Sequence, residues 1–142
     1  MSITSEDFFK PIIKPNQTVP LFSEAVKAGF PSPASDYVEK SLDLNDLCIN
    51  HPAATYFVRA AGDSMIDAGI HPGDVMVVDR SLKAKHDDIV IAMLSGEFTV
   101  KQLALTPVVR LIPRNSNYQP IELQPGDELE VFGVVTFVIH AL

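Results

Sequence analysis

The pattern that most constrains the fold is a series of short apolar runs separated by turn residues, which begins at Thr55. The run VMVVD follows Pro72-Gly73-Asp74, and the run ELEVFGVVTFVIHAL follows Pro125-Gly126-Asp127. An apolar run after such a turn is typical of a buried strand. Because no long helix fits between successive runs, the sequence predicts a mainly β fold with folded, largely antiparallel sheets.

Four further runs also predict strands, namely TYFVRAAG, IVIAML, FTVKQLAL and VVRLIP. The second and third of these flank Ser95-Gly96-Glu97, which indicates a β-hairpin with a three-residue connection. Side chains alternate along a strand, so Thr99, Lys101 and Leu103 are expected on one face of the second hairpin strand.

The segment before residue 36 is rich in proline. Its prolines are Pro11, Pro15, Pro20, Pro31 and Pro33. Proline interrupts helices and cannot donate to a sheet, so a long helix or a central strand is disfavoured in this segment. We therefore predict a flexible arm over residues 1–35 and a compact β-rich domain over residues 36–142.

Three short helical turns are predicted near the junction of these two parts. Residues Leu21–Val26 place their apolar side chains on one helical face. Ser35 or Asp36 could cap a brief helix through YVEKSL, and LDLNDLCI indicates another turn that ends near His51-Pro52.

The composition favours an intracellular protein with protein partners. The net charge is -7, and the 11 Lys and Arg residues form no basic block, which disfavours direct sequence-specific DNA binding. Cys48 is the only cysteine, so no disulfide or cysteine-based metal site is expected. The sequence has neither a signal peptide nor an apolar run of membrane-spanning length, and a cytoplasmic location without membrane attachment is expected.

Two residues have the chemistry of a nucleophile and its base. Ser64 lies in the sequence Gly62-Asp63-Ser64-Met65 after a predicted strand, where a hydroxyl can face a cleft, although such a sequence is also typical of an ordinary turn. Lys101 could equally be a solvent-facing lysine of a hairpin. If its face packs inward near Ser64, desolvation would lower its pKa, and a neutral lysine can deprotonate a serine hydroxyl.

The histidines and the loop carboxylates are weaker candidates. We expect the four histidines to be structural or exposed; they are His51, His71, His86 and His140. Several carboxylates could suggest a cation site, but their positions suit caps and turns better; they are Asp63, Asp67, Asp74 and Asp79. The sequence therefore predicts no metal and no cofactor.

Three of these segments together resemble the LexA/UmuD autoprotease family, which is peptidase S24-like. GDSM at residues 62–65 resembles its nucleophile motif, FTVKQL around Lys101 its base, and Ala28-Gly29 its scissile bond. The similarity extends from about Pro20 to the end of the sequence, and PLFSEAVKAGFPSPASDYVE resembles the UmuD branch in particular. UmuD itself has Cys-Gly at the bond, whereas this chain has Ala-Gly, as LexA does.

The resemblance implies a role for each of these residues. Ser64 would attack the Ala28 carbonyl, and Lys101 would remove the hydroxyl proton and later protonate the Gly29 amine. Backbone N–H groups of Ser64 and Met65 would hold the oxyanion. In the segment around the bond, Val26 and Phe30 would contact the substrate subsites.

The resemblance also implies partners. A RecA filament on single-stranded DNA would stimulate the cleavage, and the trimmed product would serve a UmuC-like Y-family translesion polymerase in the SOS response. A homodimer is implied, with VFGVVTFVI as a plausible interface or as buried core. LexA-like repressors carry a winged helix-turn-helix before the bond, for which residues 1–28 are too few, so we do not expect such a repressor.

Two other functions remain open at this point. The chain could be a noncatalytic dimeric regulator or polymerase-interaction module in which the serine and lysine are relics. It could also be a signal-peptidase-like enzyme acting in trans, since that related group uses serine and lysine, but the missing membrane anchor disfavours this reading.

Overall fold

The computed structural model describes residues 2–3, 8–11, 18–22, 29 and 38–142. The chain divides into two compact units, one of residues 1–11 with 51–142 and one of residues 12–50. The strands, in chain order, are β1 (Ser2–Ile3), β2 (Phe8–Phe9), β3 (Thr18–Phe22), β4 (Val38–Asp43), β5 (Thr55–Arg59), β6 (Val75–Asp79), β7 (Ile89–Leu94), β8 (Glu97–Ala104), β9 (Arg110–Ile112), β10 (Ile121–Glu122) and β11 (Leu129–Ile139).

The larger unit is built on one antiparallel sheet of nine strands, which confirms the predicted mainly β fold. The order is β10-β9-β8-β7-β11-β6-β5-β2, with β1 pairing additionally with the start of β8. The first half of β11 pairs with β7 and the second half with β6. A register shift interrupts the pairing of β11 with β7 and also its pairing with β6. Because β-bulges of this kind bend a strand, β11 can connect differently oriented parts of the sheet.

Two clusters of buried side chains form the core of this unit. The first contains Val58, Met65, Met76, Ile91 and Val100, and the second is centred on Leu103 and Leu111. Full burial of one such side chain stabilises the fold by about 1.5–3 kcal/mol. Met65 follows Ser64 directly and is fully buried, so the turn that carries Ser64 is anchored in the first cluster.

The hairpin of β7 and β8 has a tighter connection than the sequence predicts. Leu94 pairs with Glu97, so only Ser95 and Gly96 lie between the strands. Both residues have positive φ, 50° and 86°, which is the signature of a type I′ turn. The predicted three-residue connection is therefore wrong, because the twist of a two-residue I′ turn matches that of the flanking strands.

The smaller unit contains a two-stranded antiparallel ribbon followed by a short helix. Strands β3 and β4 form the ribbon, and α1 (Leu44–Cys48) begins where the Asp43 carboxylate accepts a hydrogen bond from the Asn45 N–H. This helix confirms the helical turn predicted in LDLNDLCI.

The other two predicted helical turns differ from the structure. Residues 38–42 of the predicted YVEKSL helix belong to β4, and Leu21 and Phe22 belong to β3. Both predictions are wrong there, because pairing between the two segments overrides a weak helical pattern of one or two turns. Residues 23–26 lie outside the described part of the chain.

The remaining predicted strands are present. Residues 55–59, 75–79, 110–112 and 129–139 form β5, β6, β9 and β11, while the two-residue strand β10 was not predicted. Within the described ranges, no helix has the length and apolar character needed to cross a bilayer.

Candidate active site

Ser64 lies in a turn between β5 and the 3-10 turn Ile66–Ala68. Gly62 before it has a φ of 78°, a conformation that favours glycine. The Ser64 side chain is fully buried, and Arg114 donates its backbone N–H to the Ser64 carbonyl at 2.8 Å. The backbone on both sides of the hydroxyl is thus held in place.

Lys101 lies near the middle of β8, where it pairs with Val90 of β7. Its face packs inward, since only 5% of the residue is exposed and Leu103 on the same face is also buried. The Lys101 Nζ lies 3.2 Å from Ser64 Oγ, 2.7 Å from Thr99 Oγ1 and 3.2 Å from the Val100 carbonyl oxygen. The fold therefore brings together the two residues that the sequence singled out as nucleophile and base.

Burial lowers the pKa of Lys101 from its ordinary value of 10.5, because a low-dielectric interior disfavours the ammonium form. Among the described residues, no carboxylate forms an ion pair with Lys101 to oppose this effect. The neutral amine is consequently more accessible at moderate pH than for an exposed lysine.

The three oxygen neighbours of Lys101 suit a neutral amine. A neutral amine has two N–H groups and one lone pair, whereas an ammonium group has three N–H groups and no lone pair. The Val100 carbonyl can only accept a hydrogen bond, and Thr99 Oγ1 can accept a second one. Donation to these two oxygens leaves the lone pair available to the Ser64 hydroxyl.

The segment from Arg114 to Tyr118 clamps the Ser64 turn from outside. The Asn115 side-chain amide donates to the Asp63 carbonyl at 2.9 Å, and the Tyr118 hydroxyl donates to the Asp63 carboxylate at 2.6 Å. Asp67 closes the clamp by donating its N–H to the Arg114 carbonyl at 2.8 Å. The hydrogen bond to the Asp63 carboxylate raises the pKa of the Tyr118 phenol.

The sequence predicts Thr99 on the same strand face as Lys101, but its contact with the Lys101 amine and this clamp were not predicted. The contact could have been found, because Thr99 lies two residues before Lys101 on that face. The clamp has no such signal, since the sequence distance between Asp63 and Tyr118 is 55 residues.

The predicted oxyanion and substrate residues are described only in part. Within the part of the chain that the structure describes, the Met65 backbone N–H donates no hydrogen bond. Gly29 is exposed in a bend, and the space where a Cβ would lie is free of other atoms within 4 Å. The predicted partners Val26, Ala28 and Phe30 lie outside the described residues.

Comparison with known proteins shows which family the chain belongs to. Residues 20–136 match the family described as Peptidase S24-like. The chain belongs to this peptidase family. The matched region includes both Ser64 and Lys101, and the predicted membership of the LexA/UmuD group is thereby confirmed.

Individual relatives agree with this assignment. The chain is 58% identical over 123 residues to protein SamA of Salmonella typhimurium, and the aligned region covers 87% of this chain and 86% of SamA. It is 54% identical over 121 residues to protein ImpA of Escherichia coli, and this alignment covers 85% of this chain and 83% of ImpA. A more distant relative is LexA repressor 1 of Geobacter sulfurreducens, 35% identical over 119 residues, covering 82% of this chain and 58% of the repressor.

Proposed function

We propose that the protein is a self-cleaving serine peptidase in which Ser64 is the nucleophile and Lys101 the general base. The observation that carries this proposal is the 3.2 Å contact between Ser64 Oγ and a buried Lys101 Nζ whose pKa is lowered. A nucleophile within hydrogen-bond reach of a buried base whose pKa is lowered satisfies the geometric requirement of nucleophilic catalysis.

The reaction proceeds in two stages. Lys101 takes the Ser64 proton as the oxygen attacks the Ala28 carbonyl carbon, and the resulting ammonium group protonates the Gly29 nitrogen as the peptide bond breaks. Lys101 then takes a proton from a water molecule, which attacks the ester carbonyl carbon, and returns that proton to Ser64 Oγ as the ester bond breaks and the carboxyl group of Ala28 is released. The backbone N–H groups of Ser64 and Met65 stabilise the oxyanion in both stages. This role is supported by the Met65 N–H, which donates no hydrogen bond to any of the described residues.

The substrate is the Ala28-Gly29 bond of the chain itself. We infer that residues 1–35 act as an arm, held at its start by the pairing of β1 with β8 and of β2 with β5, and that this arm presents the bond at high effective concentration to the domain of residues 36–142. The exposure of Gly29 and the open space around it are consistent with a bond that a cleft can enclose. Val26 and Phe30 fill the neighbouring subsites.

The biological setting is the SOS response in the cytoplasm. A RecA filament on single-stranded DNA promotes the cleavage, and the product, as a homodimer, serves a UmuC-like Y-family polymerase in translesion synthesis. The similarity to SamA, ImpA and a LexA repressor supports this setting, and the net charge of -7 supports action through proteins rather than through DNA contacts.

The test is incubation of the purified chain at pH 7 and at about pH 10, where lysine loses its proton, with fragment masses as the readout. We expect a fragment of residues 29–142 to appear faster at the higher pH and to be absent with Ser64→Ala and with Lys101→Ala. A chain that stays intact at both pH values and with activated RecA filaments would favour the noncatalytic interaction module instead. Cleavage of added peptides without self-cleavage would favour an enzyme that acts in trans.

A further inference from the structure

A second cluster of functional side chains lies at the start of β6 and the end of β11. His71 and Asp74 belong to the turn that precedes β6, and His140 follows the last residue of β11. We propose that His71, Asp74 and His140 form a binding site for a divalent transition metal such as Zn²⁺, here called the β6–β11 site.

The three side chains converge closely. One potential ligand atom of each residue lies within 4.8 Å of the others. His140 Nδ1 lies 2.5 Å from one Asp74 oxygen, and His71 Nδ1 lies 3.6 Å from the other. The two imidazole rings face each other with centroids 4.6 Å apart and an angle of 33°.

These distances are close to those of a zinc site. Ligands of tetrahedral zinc lie about 3.3 Å apart, because Zn–N and Zn–O bonds are about 2.0–2.1 Å long. The His71 to Asp74 distance already approaches this value. The shorter contact between His140 and Asp74 is a hydrogen bond, whose proton the metal would replace, since both histidines must be neutral to bind it.

One nitrogen in the site, His71 Nδ1, is available as a metal ligand. Among the described residues, His71 Nδ1 is buried without a hydrogen-bond partner, which native structures normally avoid. Asp74 is only 3% exposed and is fixed by the His71 backbone N–H, which donates to its carboxylate at 2.8 Å. A ligand carboxylate that is itself hydrogen-bonded is typical of metal sites.

The donor set identifies the chemical class of the ion. Two imidazoles and one carboxylate suit Zn²⁺ and its neighbours in the first transition row, whereas Ca²⁺ and Mg²⁺ prefer oxygen ligands. Both histidine side chains are about 40% exposed, at 42% and 43%, so an ion can enter from solvent and water can complete its coordination. The bound ion would tie the turn before β6 to the end of β11.

A second histidine–aspartate pair in the larger unit, His51 and Asp79, provides a matched control. His51 Nδ1 lies 2.6 Å from Asp79, which is 4% exposed, so it reproduces the contact between His140 and Asp74. There, however, the second carboxylate oxygen accepts hydrogen bonds from the Ser81 N–H and hydroxyl. Within the described residues, no second histidine joins that pair.

The experiment is titration of the full, untagged chain with ZnCl₂, followed by calorimetry and thermal unfolding, and repeated with Co²⁺ for its visible absorption bands. We expect one Zn²⁺ per chain and a Tm increase of about 5–10 °C at a hundredfold excess over Kd. His71→Gln and His140→Gln should each weaken binding at least tenfold, whereas His51→Gln should leave it unchanged.

His71→Gln is the decisive variant. The His71 ring makes no hydrogen bond through Nδ1 to the described residues, and the contact between Asp74 and His140 stays intact, so the variant should keep its fold. The proposal is overturned if the chain binds no Zn²⁺ at micromolar concentrations, or if His71→Gln binds it as tightly as the unaltered protein. If His51→Gln weakened binding as much as His71→Gln does, the proposal would also be overturned, because the loss would then not be specific to the β6–β11 site.

Discussion

The larger unit buries charged groups in two different ways. Asp79 accepts hydrogen bonds from Ser81 and lies 2.6 Å from His51, so its negative charge is compensated on both oxygens. Lys101 is equally buried but has only neutral oxygen neighbours among the contacts given above. The first arrangement stabilises a charge, whereas the second disfavours it, and a base that must accept a proton requires the second.

Both pKa values are lowered, but with opposite effects on charge, because a lower pKa favours the charged form of Asp79 and the neutral form of Lys101. Burial alone would raise the pKa of Asp79, but the hydrogen bonds from Ser81 and His51 outweigh it and hold the pKa below its ordinary value of 3.8. For Lys101, burial has the largest effect and lowers the pKa, because the interior disfavours the ammonium form. Four measurements test whether Asp79 and Lys101 differ in this way.

The largest effect concerns the pH dependence of self-cleavage. If neutral Lys101 is the base, the rate should rise about tenfold per pH unit until the pH reaches its lowered pKa, and then level off. Single-turnover rates of residue 29–142 fragment formation between pH 6 and 11 would measure this. A plateau at or above the ordinary lysine value of 10.5 would contradict a desolvated base.

The second effect is the loss of the compensated carboxylate. Asp79→Ala should lower the free energy of unfolding by about 2–4 kcal/mol, because the Ser81 and His51 contacts lose their acceptor. The contribution should be fully present above pH 3.8 and disappear as the pH falls through the lowered pKa. Urea unfolding would measure it, with exposed Asp127→Ala as a control expected to change stability by about 1 kcal/mol or less.

The third effect tests the clamp that holds the Ser64 turn. Asn115→Ala removes the 2.9 Å hydrogen bond to the Asp63 carbonyl, so we expect self-cleavage to slow about tenfold while the pH profile keeps its midpoint. Asn117→Ala is the control, since this neighbouring side chain is exposed and forms no such bond in the described part of the chain. A shifted midpoint of the pH profile would instead mean that Asn115 affects the pKa of the base.

The smallest effect is a gain in stability. Lys101→Met keeps the length of the side chain but removes the buried amine, so we expect inactive protein with a free energy of unfolding higher by about 1 kcal/mol. The gain should shrink as the pH rises toward 10.5, because the unfolded chain keeps its proton up to that pH while the native chain has already lost it. Exposed Lys83→Met should show neither effect, and an unchanged stability of Lys101→Met would mean that burial of the amine is fully compensated.

From the sequence alone, the β-rich class and the main strands from Thr55 onward could be predicted, and Ser64 and Lys101 could be named as candidate nucleophile and base. These follow from local information, since an alternating or apolar run bounded by turn residues fixes a strand, and a motif fixes a residue type. The same local information failed at Leu21–Phe22 and Val38–Asp43, where pairing between the two segments decides the structure.

The contact between Ser64 and Lys101 and the inward face of β8 depend on tertiary packing. The alternation along β8 is compatible with either face, and the choice depends on β7, β9 and the turn of Ser64 packing around it. The clamp from Asn115 to Asp63 and the convergence of His71, Asp74 and His140 likewise join residues distant in sequence. A lysine's pKa depends on burial, and burial exists only once the chain has folded.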